Sequence, residues 1–217
     1  MIKVVPCSHE AAKYAVENWH YSKILPWGKI IKYGVWENDK FIGVVIYSRG
    51  ASPNLGTFLE LDQTEICELT RIALNTHETP VSQIVAITLK LIKESNPSMR
   101  AIISFADPKE GHKGGIYQAG NWIYTGNSNP VTEYFIDGRW RHVKGIYHDP
   151  RRLTAESRIS PGKFRYIYPL DKSMRRKVEK LRLSYPSAVE GSEASRDTSG
   201  IKGQVQSLPT ALVNVSN

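Results

Sequence analysis

The sequence predicts an α/β fold, and three observations predict it. Short runs rich in β-branched and aromatic residues alternate with segments whose apolar residues recur at helical spacing. One run, Ala101-Ile102-Ile103-Ser104-Phe105-Ala106, is apolar enough to be covered on both faces, and it stops at Asp107-Pro108, where proline denies a sheet its next amide. Asn38-Asp39 and Asp137-Gly138 each separate two strand-like runs, the pattern of a hairpin. Together these give a mixed sheet flanked by helices, with an added β-hairpin and a basic helix on the C-terminal side.

Each element follows from its residues. Residues 2–5 form a first strand. Ser8 is the N-cap of a helix with apolar positions Ala12, Ala15, Val16 and Trp19; it ends near Ser22, ahead of Pro26 and Gly28. Ile31, Tyr33 and Val35 alternate as a strand does, and residues 41–47 form its hairpin partner. Residues 65–74 are the next strand. Thr79-Pro80 opens a helix with Val81, Ile84, Val85, Leu89 and Ile92 on one apolar face. After Ala101–Ala106 come a polar turn with Gly111-His112, the pair Gly114-Gly115, a short helix around Ile116, and a strand from Trp122 to Tyr124. Residues 134–136 and 140–143 flank Asp137-Gly138, and residues 174–183 have a helical pattern.

A chain of 217 residues suits one main domain. The expected boundaries are a catalytic domain over residues 1–145, a basic DNA-contacting extension over 146–188, and a flexible tail over 189–217, a Ser-, Gly-, Thr- and Asn-rich stretch without an aromatic residue. The net charge of +8 sits in one block. Residues 141–183 hold 13 Lys and Arg against 4 Asp and Glu, whereas residues 1–140 are neutral. Tyr147, Phe164, Tyr166, Tyr168 and Tyr185 interleave with the block. Cations mixed with flat side chains suit a polyanion with stackable bases, so nucleic acid is the expected partner. A solvated helix face is the plainer reading of residues 174–183. The cations expected to meet DNA are Arg139, Arg141, Lys144, Arg151, Arg152, Lys163, Arg165, Arg175 and Arg176. Cys7 and Cys67 stand at no metal-ligand spacing, which fits a reduced, cytoplasmic setting. The longest apolar run, residues 41–47, is too short to span a bilayer, and no signal-peptide run opens the chain.

Several linear blocks are more specific. They are Trp19-His20-Tyr21-Ser22 with Pro26 and Gly28-Lys29; Glu68-Leu69-Thr70-Arg71; Ser104-Phe105-Ala106-Asp107-Pro108; and Gly111-His112 through Ile116-Tyr117-Gln118-Ala119 to Asn121-Trp122-Ile123-Tyr124-Thr125-Gly126. In this order they resemble the phage Mom family over about residues 18–145. The element order is in turn similar to that of GNAT acyltransferases, whose mixed sheet splays between its fourth and fifth strands, here residues 65–74 and 101–106. The Mom resemblance implies a GNAT-like transferase that converts adenine in double-stranded phage DNA to an N6-carbamoylmethyl form. That change blocks host restriction enzymes, and the work is done in the cytoplasm of the infected or lysogenic bacterial host. The resemblance also implies a link to iron, and functional roles for His20, Tyr21, Arg71, Asp107 and Tyr117. Two other classes stay open: a CoA-dependent N-acetyltransferase acting on protein or small amines, and a non-catalytic DNA-binding protein.

The residues can be read individually. His20 follows Trp19 on the helix and is expected to point away from the core, as a surface imidazole at a helix end or as a general base or metal ligand. Tyr21 is a half-buried aromatic or a platform for a base drawn out of the duplex. Arg71 lies in an apolar strand and needs an acid or a bound anion. Glu68, three residues away, falls on the opposite face of a regular strand, which argues against a local pair; a structural partner such as Asp107 is the plainer reading, and an anchor for a phosphate or carboxyl group the functional one. Asp107 builds a turn before proline, or serves as base or ligand near His112. Tyr117 packs on the sheet, or protonates a leaving group as tyrosines in this region of GNAT enzymes do. His20, Glu68, Asp107 and His112 are candidate hard donors for iron. GNAT enzymes that use acetyl-CoA carry a Gln/Arg-x-x-Gly-x-Gly/Ala loop whose amides hold the pyrophosphate. The corresponding stretch here, residues 75–82, has no glycine, and Pro80 lacks an amide donor. An aminoacyl-tRNA carrying a glycyl group is therefore weighed as donor against an acyl-CoA.

Overall fold

The computed structural model describes residues 1–50 and 52–186. The expected tail, residues 189–217, lies outside them. The chain is built around two compact units, Met1–Met99 and Arg100–Ser184.

The first unit contains β1 (Ile2–Pro6), α1 (His9–Trp19), β2 (Ile30–Glu37), β3 (Lys40–Ser48), β4 (Ile66–Leu74) and α2 (Val81–Ser95). Its strands pair antiparallel in the order β1-β2-β3-β4. Ser8 caps α1 as expected, its Oγ accepting the Ala11 amide at 3.1 Å. Asn38 and Asp39 turn the β2–β3 hairpin with φ of 50° and 59°, the left-handed pair that a two-residue hairpin requires. Ala12, Ala15 and Val16 of α1 pack with Val44, Ile46 and Ala73 on one sheet face. The alternate residue Tyr47 points to the other face, where its hydroxyl meets that of Thr88 on α2 at 2.6 Å. The β3–β4 register slips once. Ile46 faces Arg71 but Tyr47 faces Leu69, which leaves Thr70 as a bulge.

The second unit contains β5 (Ala101–Ala106), α3 (Gly115–Ala119), β6 (Ile123–Asn127), β7 (Val131–Ile136), β8 (Arg139–His142), β9 (Ser157–Ser160), β10 (Phe164–Pro169) and α4 (Lys172–Glu179). It holds two antiparallel arrangements, β5-β10-β6 and β8-β7-β9. The fold is thus α/β, and the elements through β6 follow the order read from the sequence. Strands β9 and β10 were not expected. Within β10, Tyr166 and Ile167 are fully buried. Tyr166 is therefore core, not one of the stacking aromatics that the basic block suggested. Its alternation with Arg165 is strand periodicity. On α4, Met174 and Val178 make a single buried edge, and Asp171 caps the first turn by accepting the Met174 amide at 2.8 Å. Among the described residues no helix is long and apolar enough to cross a membrane.

Candidate active site

Three of the five expected catalytic residues meet in the first unit, at the C-terminal end of α1. The helix stops at Trp19, and His20 takes extended angles, φ −112° and ψ 136°. This turn swings the imidazole inward. His20 is 7% exposed and is not the outward-pointing side chain that helical spacing implied. Its Nδ1 accepts the Ser22 amide at 3.1 Å and lies 2.8 Å from Ser22 Oγ. A backbone N–H only donates, so Nδ1 carries the lone pair and the neutral ring bears its proton on Nε2. Tyr21 stacks on this ring with centroids 4.3 Å apart and planes at 31°, and leaves half of its own surface in water.

Arg71 completes the group. Its Nε donates to the Ile24 carbonyl at 3.2 Å and its Nη1 to the Thr70 carbonyl at 2.7 Å. Burial pulls its pKa below the ordinary arginine value, outweighing the opposite pull of Tyr21 and Glu68, which are near enough to act on the charge. Among the described residues no carboxylate forms an ion pair with Arg71, so main-chain carbonyls meet the need that an acid was expected to fill. The bulge overturns the expected placing of Glu68. Glu68 faces Ser48 and Arg71 faces Ile46, and these two β3 residues share a face. Glu68 and Arg71 therefore lie on the same side of the sheet.

In the second unit Asp107 ends β5 and caps the turn Pro108–Glu110, its Oδ1 accepting the Lys109 amide at 3.0 Å. Its Oδ2 is 2.8 Å from Lys163 Nζ. Register explains the pair: Phe164 faces Ala106, so the residue before one strand meets the residue after the other. Burial alone would raise the Asp107 carboxyl. The Lys163 ammonium and the Lys109 amide outweigh it and hold the group below the usual carboxylate range. Such a carboxylate is a better charge anchor than a base. His112 is exposed, and its amide closes the turn on the Asp107 carbonyl at 3.1 Å.

Tyr117, on α3, is 8% exposed. Ser104 Oγ donates to its hydroxyl oxygen at 2.8 Å, and its ring lies 5.1 Å from both Trp122 and Tyr166. Ser104 and Lys163 are the partners that sequence reasoning missed in these roles; reading β10 as the neighbour of β5 would have found Lys163. Gly114 opens α3 with φ of +81°, and a Cβ there would stand 2.3 Å from the Tyr166 ring.

The residues named for iron do not fit it. Among the described residues no three His, Cys, Asp or Glu side chains stand close enough together to hold a metal ion, so His20, Glu68, Asp107 and His112 form no donor set. Asp107 is instead matched by an ammonium group. The turn between β4 and α2 is also occupied, by the chain itself. The Glu37 carboxylate accepts the amides of Glu78 and Thr79, each at 2.8 Å, and the Thr79 hydroxyl. These bonds hold Glu37 at about 2. The first unit also has an open cavity of about 550 Å³, with Lys29, Arg49, Cys67 and Asn96 in its lining; His20, Tyr21 and Arg71 do not line it.

Many of the expected DNA contacts are engaged internally. Arg165 donates to the Thr125 hydroxyl at 2.9 Å and to its carbonyl at 2.8 Å. Arg141 and Arg151 pair with Asp137 at 3.0 and 2.9 Å, Arg151 also with Asp149 at 2.7 Å, and Arg175 with Glu179 at 3.2 Å. Arg152 lies 5.1 Å over the Tyr147 ring. Arg139, Lys144 and Arg176 are exposed. Among the described residues none of these three forms an ion pair.

Comparison with known proteins adds the following. The sequence profile of the Mom protein family matches residues 1–187. The methylcarbamoylase Mom of Escherichia phage Mu is 28% identical over 194 residues, covering 82% of this chain and 79% of that protein. Among solved structures, a spermidine/spermine N-acetyltransferase of Vibrio cholerae with manganese ions has a TM-score of 0.48 at 10% identity, covering 81% of this chain and 96% of that one. An acetyltransferase of Bacillus subtilis in complex with CoA has a TM-score of 0.47 at 12% identity, covering 78% and 98%.

Proposed function

This chain belongs to the Mom protein family, and from that premise we propose that it is a phage DNA-modifying enzyme that converts adenine in duplex DNA to N6-carbamoylmethyladenine and so shields phage DNA from host restriction. The observation that carries the reading is the family match over residues 1–187, which spans both units. The relation to the methylcarbamoylase of phage Mu supports it, as does the basic character of residues 141–183.

The side chains can be given roles in this reaction. The exposed half of Tyr21 receives the adenine ring, and His20 moves a proton through the nitrogen turned away from Ser22. Arg71, with no ion-pair partner among the described residues, anchors an anionic part of the reactants. Asp107 fixes Lys163 near the end of β5, and Tyr117 with Ser104 supplies a proton to the leaving group. The group transferred is glycyl, carried as an activated ester such as an aminoacyl-tRNA. Adenine N6 displaces the ester oxygen and becomes an amide. The free glycyl amine then attacks C6 through a five-membered ring, and the original C6–N6 bond breaks. N6 leaves as the terminal amide, so the second step is an isomerisation that needs no oxidant.

A CoA thioester is the weaker donor, because the turn between β4 and α2 has no glycine and its Glu78 and Thr79 amides already hold the Glu37 carboxylate. The test is mass spectrometry of nucleosides from cells expressing the protein, with adenine labelled at N6 by heavy nitrogen. The expected product carries the label in its terminal amide. Label retained on C6 rejects the rearrangement, and unmodified deoxyadenosine rejects the function.

A further inference from the structure

The segment that leaves α1 is pinned at its base and bare at its tip. His20 and Ser22 close its first turn. Arg71 holds the Ile24 carbonyl at 3.2 Å, and the Lys23 ammonium returns to the Asn18 carbonyl at 2.9 Å. Leu25 packs against the core between α1 and the sheet. Past these anchors Pro26 restricts the backbone, Trp27 stands 99% exposed, and Gly28 turns the chain towards β2 with φ of +83°. Ile24 and Tyr21 on the same segment are also exposed.

An indole held wholly in water is unusual, since tryptophan is among the most buried residues on average. The chain leading into it is anchored through Leu25, and Pro26 restricts the backbone just before it. The stretch of chain around it carries one sign of charge. From Asn18 to Trp36 there is no acidic residue, while Lys23, Lys29 and Lys32 are all present. A flat apolar tip among cations matches a polyanion that stacks flat faces between its charges, and duplex DNA is that polymer.

The chemistry proposed above needs such an element. The N6 group of a paired adenine is engaged with thymine and its ring is sandwiched in the stack, so a group can be built on it only once the base is drawn out. We propose that Trp27, presented between Pro26 and Gly28, is a wedge that enters the duplex beside the target adenine and holds the stack open while the base turns onto Tyr21. This rests on the adenine-modifying reading, with Trp27 as a positioning residue.

Two arms test it. With fully paired duplex, Trp27→Ala lowers the rate of adenine modification at least about tenfold and Trp27→Phe less than about threefold, while duplex affinity at fixed salt stays within about threefold. An adenine opposite an abasic site is already loose, and Trp27→Ala modifies it near the wild-type rate. The second arm needs no turnover. Short duplexes carry 2-aminopurine in place of each adenine in turn, and its fluorescence rises when it is unstacked. Wild type brightens one position and Trp27→Ala brightens none. The wedge is overturned if Trp27→Ala modifies paired adenine at the wild-type rate, or if it brightens the same position. It is overturned too if wild type brightens no position, whatever the nucleosides contain. Brightening by wild type without any modified adenine would sink the proposed function and leave the wedge standing.

Discussion

Arg71 separates charge from geometry. Its guanidinium spans two main-chain carbonyls, one of them on the loop after α1, and a lysine cannot reproduce that fork. Arg71→Lys should therefore leave duplex affinity within about twofold yet lower nucleoside modification at least about tenfold. Equal modification would show that only the charge is used. Gly114 is the corresponding test of packing in the second unit. A Cβ 2.3 Å from the Tyr166 ring, at a φ of +81°, combines overpacking with a left-handed backbone. Gly114→Ala should cost about 2–4 kcal/mol, read as a fall in the urea midpoint. The sequence named His20, Tyr21 and Arg71, but their surroundings were not legible in it. His20 was placed by helical geometry one residue past the point where the helix ends, and Glu68 by strand alternation that the Thr70 bulge resets. Both errors come from carrying a regular period across an irregularity.

At the level of elements, the turn between β4 and α2 depends on a carboxylate from the β2–β3 hairpin. Glu37 titrates at about 2 when folded, below its ordinary value of 4.5. Its contribution is thus present above about pH 4.5 and is lost as pH falls towards 2. Glu37→Gln removes it at neutral pH. The variant should be less stable than wild type at pH 7, the gap should narrow below about pH 4.5, and the two should converge only as pH nears about 2 when urea midpoints are followed across that range. A constant gap would mean that side-chain shape, not charge, holds the turn. Most elements were readable because cap, apolar stripe and turn residues agree, as in Ser8 and α1 or Asn38-Asp39 and its hairpin. Strand β10 was not, because Arg165 and Lys163 made its stretch look like a surface. Only its pairing with β5 and β6 reveals Tyr166 and Ile167 as core.

Across the molecule, charge read along the chain differs from charge presented to a partner. The block at residues 141–183 holds 13 cations and 4 acids, yet several cations are matched by acids earlier in the sequence. Lys163 meets Asp107, Arg158 meets Glu133, and Arg141 and Arg151 share Asp137. Pairs of this kind are partly exposed and each is worth little in stability, but they decide which cations face solvent without a counter-charge. Arg139, Lys144 and Arg176 are exposed and carry no ion pair among the described residues. Each phosphate neutralised by such a cation adds about 0.9 to the slope of log affinity against log salt. Replacing all three by alanine should therefore lower that slope by about 2–3 between roughly 50 and 200 mM salt. Replacing Arg141, Arg151 and Arg175 removes the same formal charge but frees Asp137 and Asp149, whose carboxylates repel the duplex, while Glu179 keeps Arg182 at 2.7 Å. In that triple variant affinity should fall while the slope drops by only about one, because few counterion-releasing contacts are lost. Equal slopes in the two variants would mean that these ion pairs open when DNA binds, and that charge along the chain, not its pairing in the fold, sets the interface.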